Sequence, residues 1–150
     1  VNYNHLIEQE TGKYPKVQRM IIPIQCQHCD DAPCQKVCPT GATYKREDGI
    51  VLIDAKKCIG CKYCMVACPY NARVINEEGV PEKCRFCAEY VAQGETPACV
   101  STCMNEVRIF GDLDDPASPL HELINNQDAV QLRPDLNTKP RIYYAKSKRG

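Results

Sequence analysis

Four thiols fall within eleven residues in Cys58-Ile-Gly-Cys61-Lys-Tyr-Cys64-Met-Val-Ala-Cys68-Pro69. The spacing C-x2-C-x2-C-x3-C-P is that of a bacterial [4Fe–4S] ligand loop, in which three closely spaced thiolates each reach a different iron. Gly60 relieves crowding where the backbone must pass close to an inorganic core. Cys68 reads as the end of a short helical turn, so it lies about 6 Å further along the axis at 1.5 Å per residue and points away from its own loop. Where such runs come in pairs, the last cysteine ligates the other cluster, which requires a second motif in the chain.

That motif is Cys26-Gln-His-Cys29-Asp-Asp-Ala-Pro-Cys34-Gln-Lys-Val-Cys38-Pro39, with two extra residues between its second and third cysteines. Asp30, Asp31 and Pro33 stand at the tip of the larger loop. Exchange of the last ligands gives one cluster on Cys26, Cys29, Cys34 and Cys68 and another on Cys58, Cys61, Cys64 and Cys38. Pro39 and Pro69 lack an N–H and end each helical turn directly after its ligand. The segment Cys38-Pro-Thr-Gly-Ala-Thr-Tyr-Lys-Arg-Glu-Asp-Gly49 is echoed by Cys68-Pro-Tyr-Asn-Ala-Arg-Val-Ile-Asn-Glu-Glu-Gly79. Each reads as a short strand and a turn closing on glycine, with Ile50–Ile53 as a return strand, so loop, helical turn and hairpin are duplicated.

A third group, Cys84-Arg-Phe-Cys87 with Cys99-Val-Ser-Thr-Cys103, keeps the first pair and the final C-x3-C but separates them by eleven residues. Met104 stands where the other motifs have proline, which leaves the end of this turn open. Two separated cysteine pairs also suit a tetrahedral all-thiolate zinc site. If Cys103 behaves as Cys38 and Cys68 do, it serves a site other than that of Cys84, Cys87 and Cys99; otherwise it closes a local site with them.

Composition agrees with a fold held by metal. Leu, Ile, Val and Phe supply 31 of 150 residues, and there is no tryptophan, a level just above that of chains that stay unfolded. Metal–thiolate bonds formed only in the folded state contribute directly to its stability. The twelve cysteines could also form disulfides, but crowded triplets have awkward geometry for bridging distant partners, so iron–sulfur ranks first, zinc next and disulfides last. A formal net charge of zero gives no reason to expect nucleic acid, and no apolar run approaches the length of a membrane span. The chain begins at Val1 without an initiator Met, so the absence of a visible signal peptide carries no weight.

Elsewhere, Met20–Ile24 reads as a strand, with Pro23 at an edge or end. His28 is either a hydrogen-bond donor to cluster sulfur or a partly exposed loop histidine. Lys56, Lys57, Lys62, Lys83 and Arg85 flank the motifs as cations that would raise a cluster potential or simply stand in solvent. Tyr63 and Tyr70 read as packing residues. Ser118-Pro119 opens a helix through Asn126, a strand follows at Arg141–Tyr144, and Lys146-Ser-Lys-Arg149 forms a basic tail.

The three motifs in this order, followed by Phe110-Gly-Asp-Leu-Asp-Asp-Pro116 and Thr138-Lys-Pro-Arg-Ile-Tyr-Tyr144, resemble the iron–sulfur subunit of complex iron–sulfur molybdoenzymes. The most similar members are the electron-transfer subunits of polysulfide, tetrathionate, arsenate and dimethyl sulfoxide reductases and of formate-dependent nitrite reduction. The resemblance covers nearly the whole chain and implies an α+β, bacterial ferredoxin-like duplicated [4Fe–4S] domain with short strands, helical turns and much irregular loop. Residues 1–111 would form the iron–sulfur core and 112–150 a C-terminal covering or docking segment. The family carries four cysteine motifs and four cubanes, the first and fourth motifs exchanging ligands as the middle two do. This chain matches motifs two, three and four and is expected to be a fragment lacking the first, or a natural variant. By that carry-over the fourth ligand of Cys84, Cys87 and Cys99 lies in a missing segment, and Cys103 belongs to the cluster of the absent motif.

The resemblance implies no catalysis in this chain, and the sequence shows no Ser/His/Asp set, acid–base carboxylate pair or phosphate loop. It implies an electron-transfer subunit that relays single electrons through [4Fe–4S] clusters between a quinone-linked membrane anchor subunit and a molybdopterin catalytic subunit. Such a chain is a peripheral subunit of a membrane-associated complex, with the periplasmic side favoured. The alternatives are a free-standing polyferredoxin and a zinc-stabilised binding module.

Overall fold

A computed structural model describes residues 2–126 and 129–145. The chain divides into two compact units, the first built from Val1–Gln27, Pro33–Arg46 and Val51–Cys84 and the second from His28–Ala32, Glu47–Ile50 and Arg85–Gly150.

The first unit begins with β1 (His5–Lys13) and β2 (Lys16–Ile24), an antiparallel ribbon in register from His5 opposite Ile24 to Lys13 opposite Lys16. The expected strand at Met20–Ile24 is therefore the end of a longer one, and β1 is an addition. Pro23 is tolerated because a two-stranded ribbon has only edge strands. Polar and apolar residues are exposed along both strands, and only Ile24 is buried.

Two copies of one pattern follow. Helical turn α1 (Pro33–Lys36) precedes the hairpin of β3 (Thr43–Lys45) and β4 (Val51–Ile53); helical turn α2 (Tyr63–Val66) precedes that of β5 (Val74–Ile75) and β6 (Pro81–Glu82). Gly49 and Gly79 hold the turn conformations, at φ 82° and 79°. Buried residues of this unit include Ala42, Val51, Leu52, Tyr70 and Ala72, a small apolar set in line with the composition.

The second unit contains short helices α3 (Ala88–Val91) and α4 (Ala98–Ser101) and the longer α5 (Pro119–Asn126). The start of α5 is as expected: the Ser118 hydroxyl accepts from Leu120 N–H at 3.4 Å, and proline occupies the first helical position. Arg141–Tyr144 is not a strand. Among the described residues only an isolated antiparallel bridge forms there, between Tyr144 and Val130. The basic run 146–149 lies outside the described residues.

The C-terminal segment clasps the tip of the first cysteine loop. Asp30 N–H donates to Lys139 C=O at 2.9 Å and Asp31 N–H to Thr138 C=O at 3.1 Å. Arg141 Nε donates to Asp30 Oδ1 at 2.7 Å, and its Nη1 to Asp48 C=O at 3.3 Å. Thr138 is buried beneath these bonds.

Candidate iron–sulfur sites

Each motif is shaped by the same three local devices. The residue before the second cysteine is left-handed in all three, His28 at φ 44°, Gly60 at 69° and Phe86 at 58°. This conformation turns successive N–H groups to one side and forms an anion-binding concavity. The third cysteine is the second residue of a helical turn in each case: Cys34 in α1, Cys64 in α2 and Cys99 in α4. The last cysteine then caps that turn, with N–H bonds from Cys38 to Gln35 C=O, Cys68 to Met65 C=O and Cys103 to Val100 C=O at 3.2, 3.3 and 3.1 Å.

The third turn ends as firmly as the others despite Met104. Three residues beyond each last cysteine stands a left-handed residue, Gly41, Asn71 and Glu106, whose N–H bonds back to the cysteine carbonyl at 3.3, 3.3 and 3.0 Å. The turn is fixed by that bond, and the missing proline costs little.

In the first unit, Cys38, Cys58, Cys61 and Cys64 line one pocket with Thr40, Ala42 and Thr43, holding about 320 Å³ of atom-free space, part of it open to solvent. Three of the thiols come from the central motif and one from the preceding motif. Among the described residues, no group of three or more His, Cys, Asp or Glu side chains is arranged to hold a single metal ion. Four thiols on one pocket, three from one motif and one from another, match the four cysteine ligands of a [4Fe–4S] group.

The thiols are electrostatically graded. Burial pushes Cys38 up, but hydrogen bonds from Thr43 N–H (3.4 Å), the Thr40 hydroxyl and the Thr40 and Ala42 N–H groups outweigh it and bring the thiol down to about 7. Gly60 N–H approaches Cys58 Sγ at 3.5 Å. Burial raises Cys64, offset in part by the Arg73 charge, with Cys34 and Cys38 as like-charged neighbours. Burial also raises Cys68, against N–H bonds from Ala72 and Tyr70, and the neighbouring thiols that raise it further are Cys26 and Cys34. Cys68 is thus close to thiols of the preceding motif.

Cys26 is buried and Cys84 half-buried in the first unit; Cys29 is buried and Cys87, Cys99 and Cys103 are half-buried in the second. None of the twelve is in a disulfide.

Several flanking residues differ from expectation. His28 is 2% exposed and stacks edge-on against Phe86 at 4.9 Å, so it is no exposed loop residue. Lys83 is buried and donates to the carbonyls of Val51 and Cys84, an anchoring role rather than a solvated charge. Arg85 pairs with Glu89, and Lys57 lies 3.9 Å from Asp54. Tyr70 is buried as expected, whereas Tyr63 is 62% exposed because the outer face of α2 has no cover. Arg73, absent from the sequence-based cations, is 3% exposed among the thiols. Its signal was its place five residues after Cys68, matching Thr43 after Cys38.

The chain belongs to the 4Fe-4S dicluster domain family, whose model matches residues 17–113. It is 45% identical to a subunit of the tetrathionate reductase of Salmonella typhimurium over 86% of this chain and 53% of the relative. Against a subunit of the polysulfide reductase of Wolinella succinogenes the identity is 41% over 83% of this chain and 66% of the relative. The arsenate respiratory reductase iron-sulfur subunit ArrB of a Shewanella species is 35% identical over 98% of this chain and 84% of its own length. The chain spans 53–66% of the length of the first two relatives. The resemblance drawn from the motifs is borne out, and the strands, few helices and irregular loops fit a ferredoxin-like 4Fe-4S domain. No helix among the described residues is long and apolar enough to cross a membrane.

Proposed function

We propose that this chain is an electron-transfer subunit, relaying single electrons between a quinone-linked membrane anchor and a molybdopterin catalytic subunit, and that catalysis resides in that partner. The fold is then an α+β, duplicated ferredoxin-like core. Cys26, Cys29, Cys34 and Cys68 hold one [4Fe–4S] cluster, and Cys58, Cys61, Cys64 and Cys38 another. Cys84, Cys87 and Cys99 belong to a third. Cys103 serves a different cluster, as its place in the repeat implies. When bound, all-thiolate [4Fe–4S] groups supply one-electron transfer, at potentials set by charge and hydrogen bonds around the sulfurs.

The observation that carries this reading is the pocket lined by Cys38 together with Cys58, Cys61 and Cys64. The chain's own groups prepare it. Thr43 directs its N–H at Cys38 sulfur, favouring the thiolate form that binds metal, and Gly60 N–H approaches Cys58 sulfur. The hydrogen bonds from Asp30 and Asp31 to the C-terminal segment fix the loop that carries Cys29 and support residues 112–150 as a covering segment. The relatives named as reductase subunits support a place in a multi-subunit complex; we place the chain there as a peripheral subunit of a membrane-associated assembly, on the periplasmic side.

The test is anaerobic purification with iron and zinc determination and visible absorption, followed by capture of partners with the tagged chain. A brown, iron-loaded chain that retains a molybdenum-containing subunit supports the reading. A colourless zinc protein would replace it with the binding module, and an iron-loaded chain that captures no such subunit with a free polyferredoxin.

A further inference from the structure

In the two repeats, the fifth residue after the last cysteine is Thr43 in one and Arg73 in the other. These equivalent positions meet: Arg73 Nη1 donates to Thr43 Oγ1 at 3.3 Å, and Thr43 N–H in turn donates to Cys38 Sγ at 3.4 Å. Arg73 is 3% exposed, and its Nη2 is buried without a hydrogen-bond partner. Burying a guanidinium with unused donors is costly unless an anion accompanies it. The groups nearest its charge are the thiols of Cys34, Cys64 and Cys26, with Cys34 and Cys64 as hydrogen-bond partners of the guanidinium. Cys26 and Cys34 belong to one proposed ligand set and Cys64 to the other, with Cys38 reached through Thr43.

We infer that Arg73 is a shared electrostatic partner of both middle clusters, its Nη2 donors directed at cluster or thiolate sulfur, so that one buried cation raises both potentials together. The inference rests on the crossed ligand sets proposed above. An arginine stays protonated at any working pH, so an electron that adds one negative charge beside it is compensated without uptake of a proton. The role is one of tuning and positioning rather than catalysis.

The test compares Arg73→Gln, which keeps donors but loses charge, with Arg73→Lys, which keeps charge. Iron content and midpoint potentials by spectroscopically monitored redox titration are read on the intact chain. A wild-type chain without two four-iron clusters would fail the ligand assignment itself, before any variant is made. Given two clusters, Arg73→Gln is expected to lower both potentials together by about ten-fold in the reduction equilibrium, ~59 mV for a one-electron couple, with Arg73→Lys shifted less. Loss of clusters from Arg73→Gln but not from Arg73→Lys also supports the inference. Unchanged potentials in a fully loaded Arg73→Gln chain, a shift of one cluster alone, or equal cluster loss in both variants would overturn it.

Discussion

The Thr43 backbone N–H donates to Cys38 Sγ at 3.4 Å, and Cys38 lines its pocket with three thiols of the motif that follows. The hairpin that begins at Thr43 therefore fixes a cysteine at the site of another repeat. On the ligand sets proposed above, folding of each repeat is coupled to the cluster of its neighbour.

That coupling makes metal removal structural. With 31 large aliphatic or Phe residues in 150, little apolar area is available to offset chain entropy, and metal binding supplies the difference. Chelating iron under reducing conditions is expected to abolish hydrogen-exchange protection from Cys26 to Gly79. A cooperatively melting apo-chain with native-like protection there would count against this.

Gly60 sits at φ 69°, and a Cβ would meet only Gly79 O at 3.4 Å, an ordinary contact. The cost of Gly60→Ala is thus conformational, roughly 1–2 kcal/mol for a left-handed residue. Denaturant-induced bleaching should show a lowered midpoint with unchanged iron content at zero denaturant. An unchanged midpoint would show that the loop does not require this conformation.

The Arg141–Asp30 pair spans the C-terminal clasp, its side chains 30% and 41% exposed. A pair so solvated is worth ~0.2–1 kcal/mol, and Arg141→Ala also removes the bond to Asp48 C=O. The expected result is faster proteolysis after residue 112 with iron retained. Cleavage at the wild-type rate would show that the clasp is held by the Asp30 and Asp31 backbone bonds alone.

Cys103 is expected to remain a free thiol when the 150-residue chain is produced by itself. N–H bonds from Val107 and Arg108 lead in lowering its pKa below the ordinary 9.0, and the nearby Arg108 charge adds to this. Since thiolate is the reacting form, its alkylation rate should reach half-maximum at lower pH than an unperturbed thiol. About eight irons per chain with Cys103 alkylated fits two four-iron clusters. By the same arithmetic, about twelve with Cys103 protected would assign it to a local third site.

What was legible in the sequence was local. Cysteine spacing located the helical turns that carry Cys34 and Cys64, and Gly49 and Gly79 located the hairpin turns. Ser118-Pro119 marked α5 by its cap. Strand β1 escaped because His5–Lys13 is exposed along nearly its whole length, so no burial period is written into it. The firm end of the third turn escaped because Glu106 does the work of Gly41 and Asn71 without a residue type that favours φ 50°. Arg73 escaped because an arginine in a strand-like run looks solvated in one dimension; only the pairing of the repeats buries it.

The central claim is that each middle cluster takes its last ligand from the other motif. The most direct measurement is spectroscopic identification of the surviving cluster in Cys38→Ala and Cys68→Ala chains, each combined with potentials assigned from Cys61→Ala and Cys29→Ala references. The expected result is that Cys38→Ala loses or alters the same cluster as Cys61→Ala, and Cys68→Ala the same cluster as Cys29→Ala. The opposite pairing, Cys38→Ala with Cys29→Ala and Cys68→Ala with Cys61→Ala, would contradict the account.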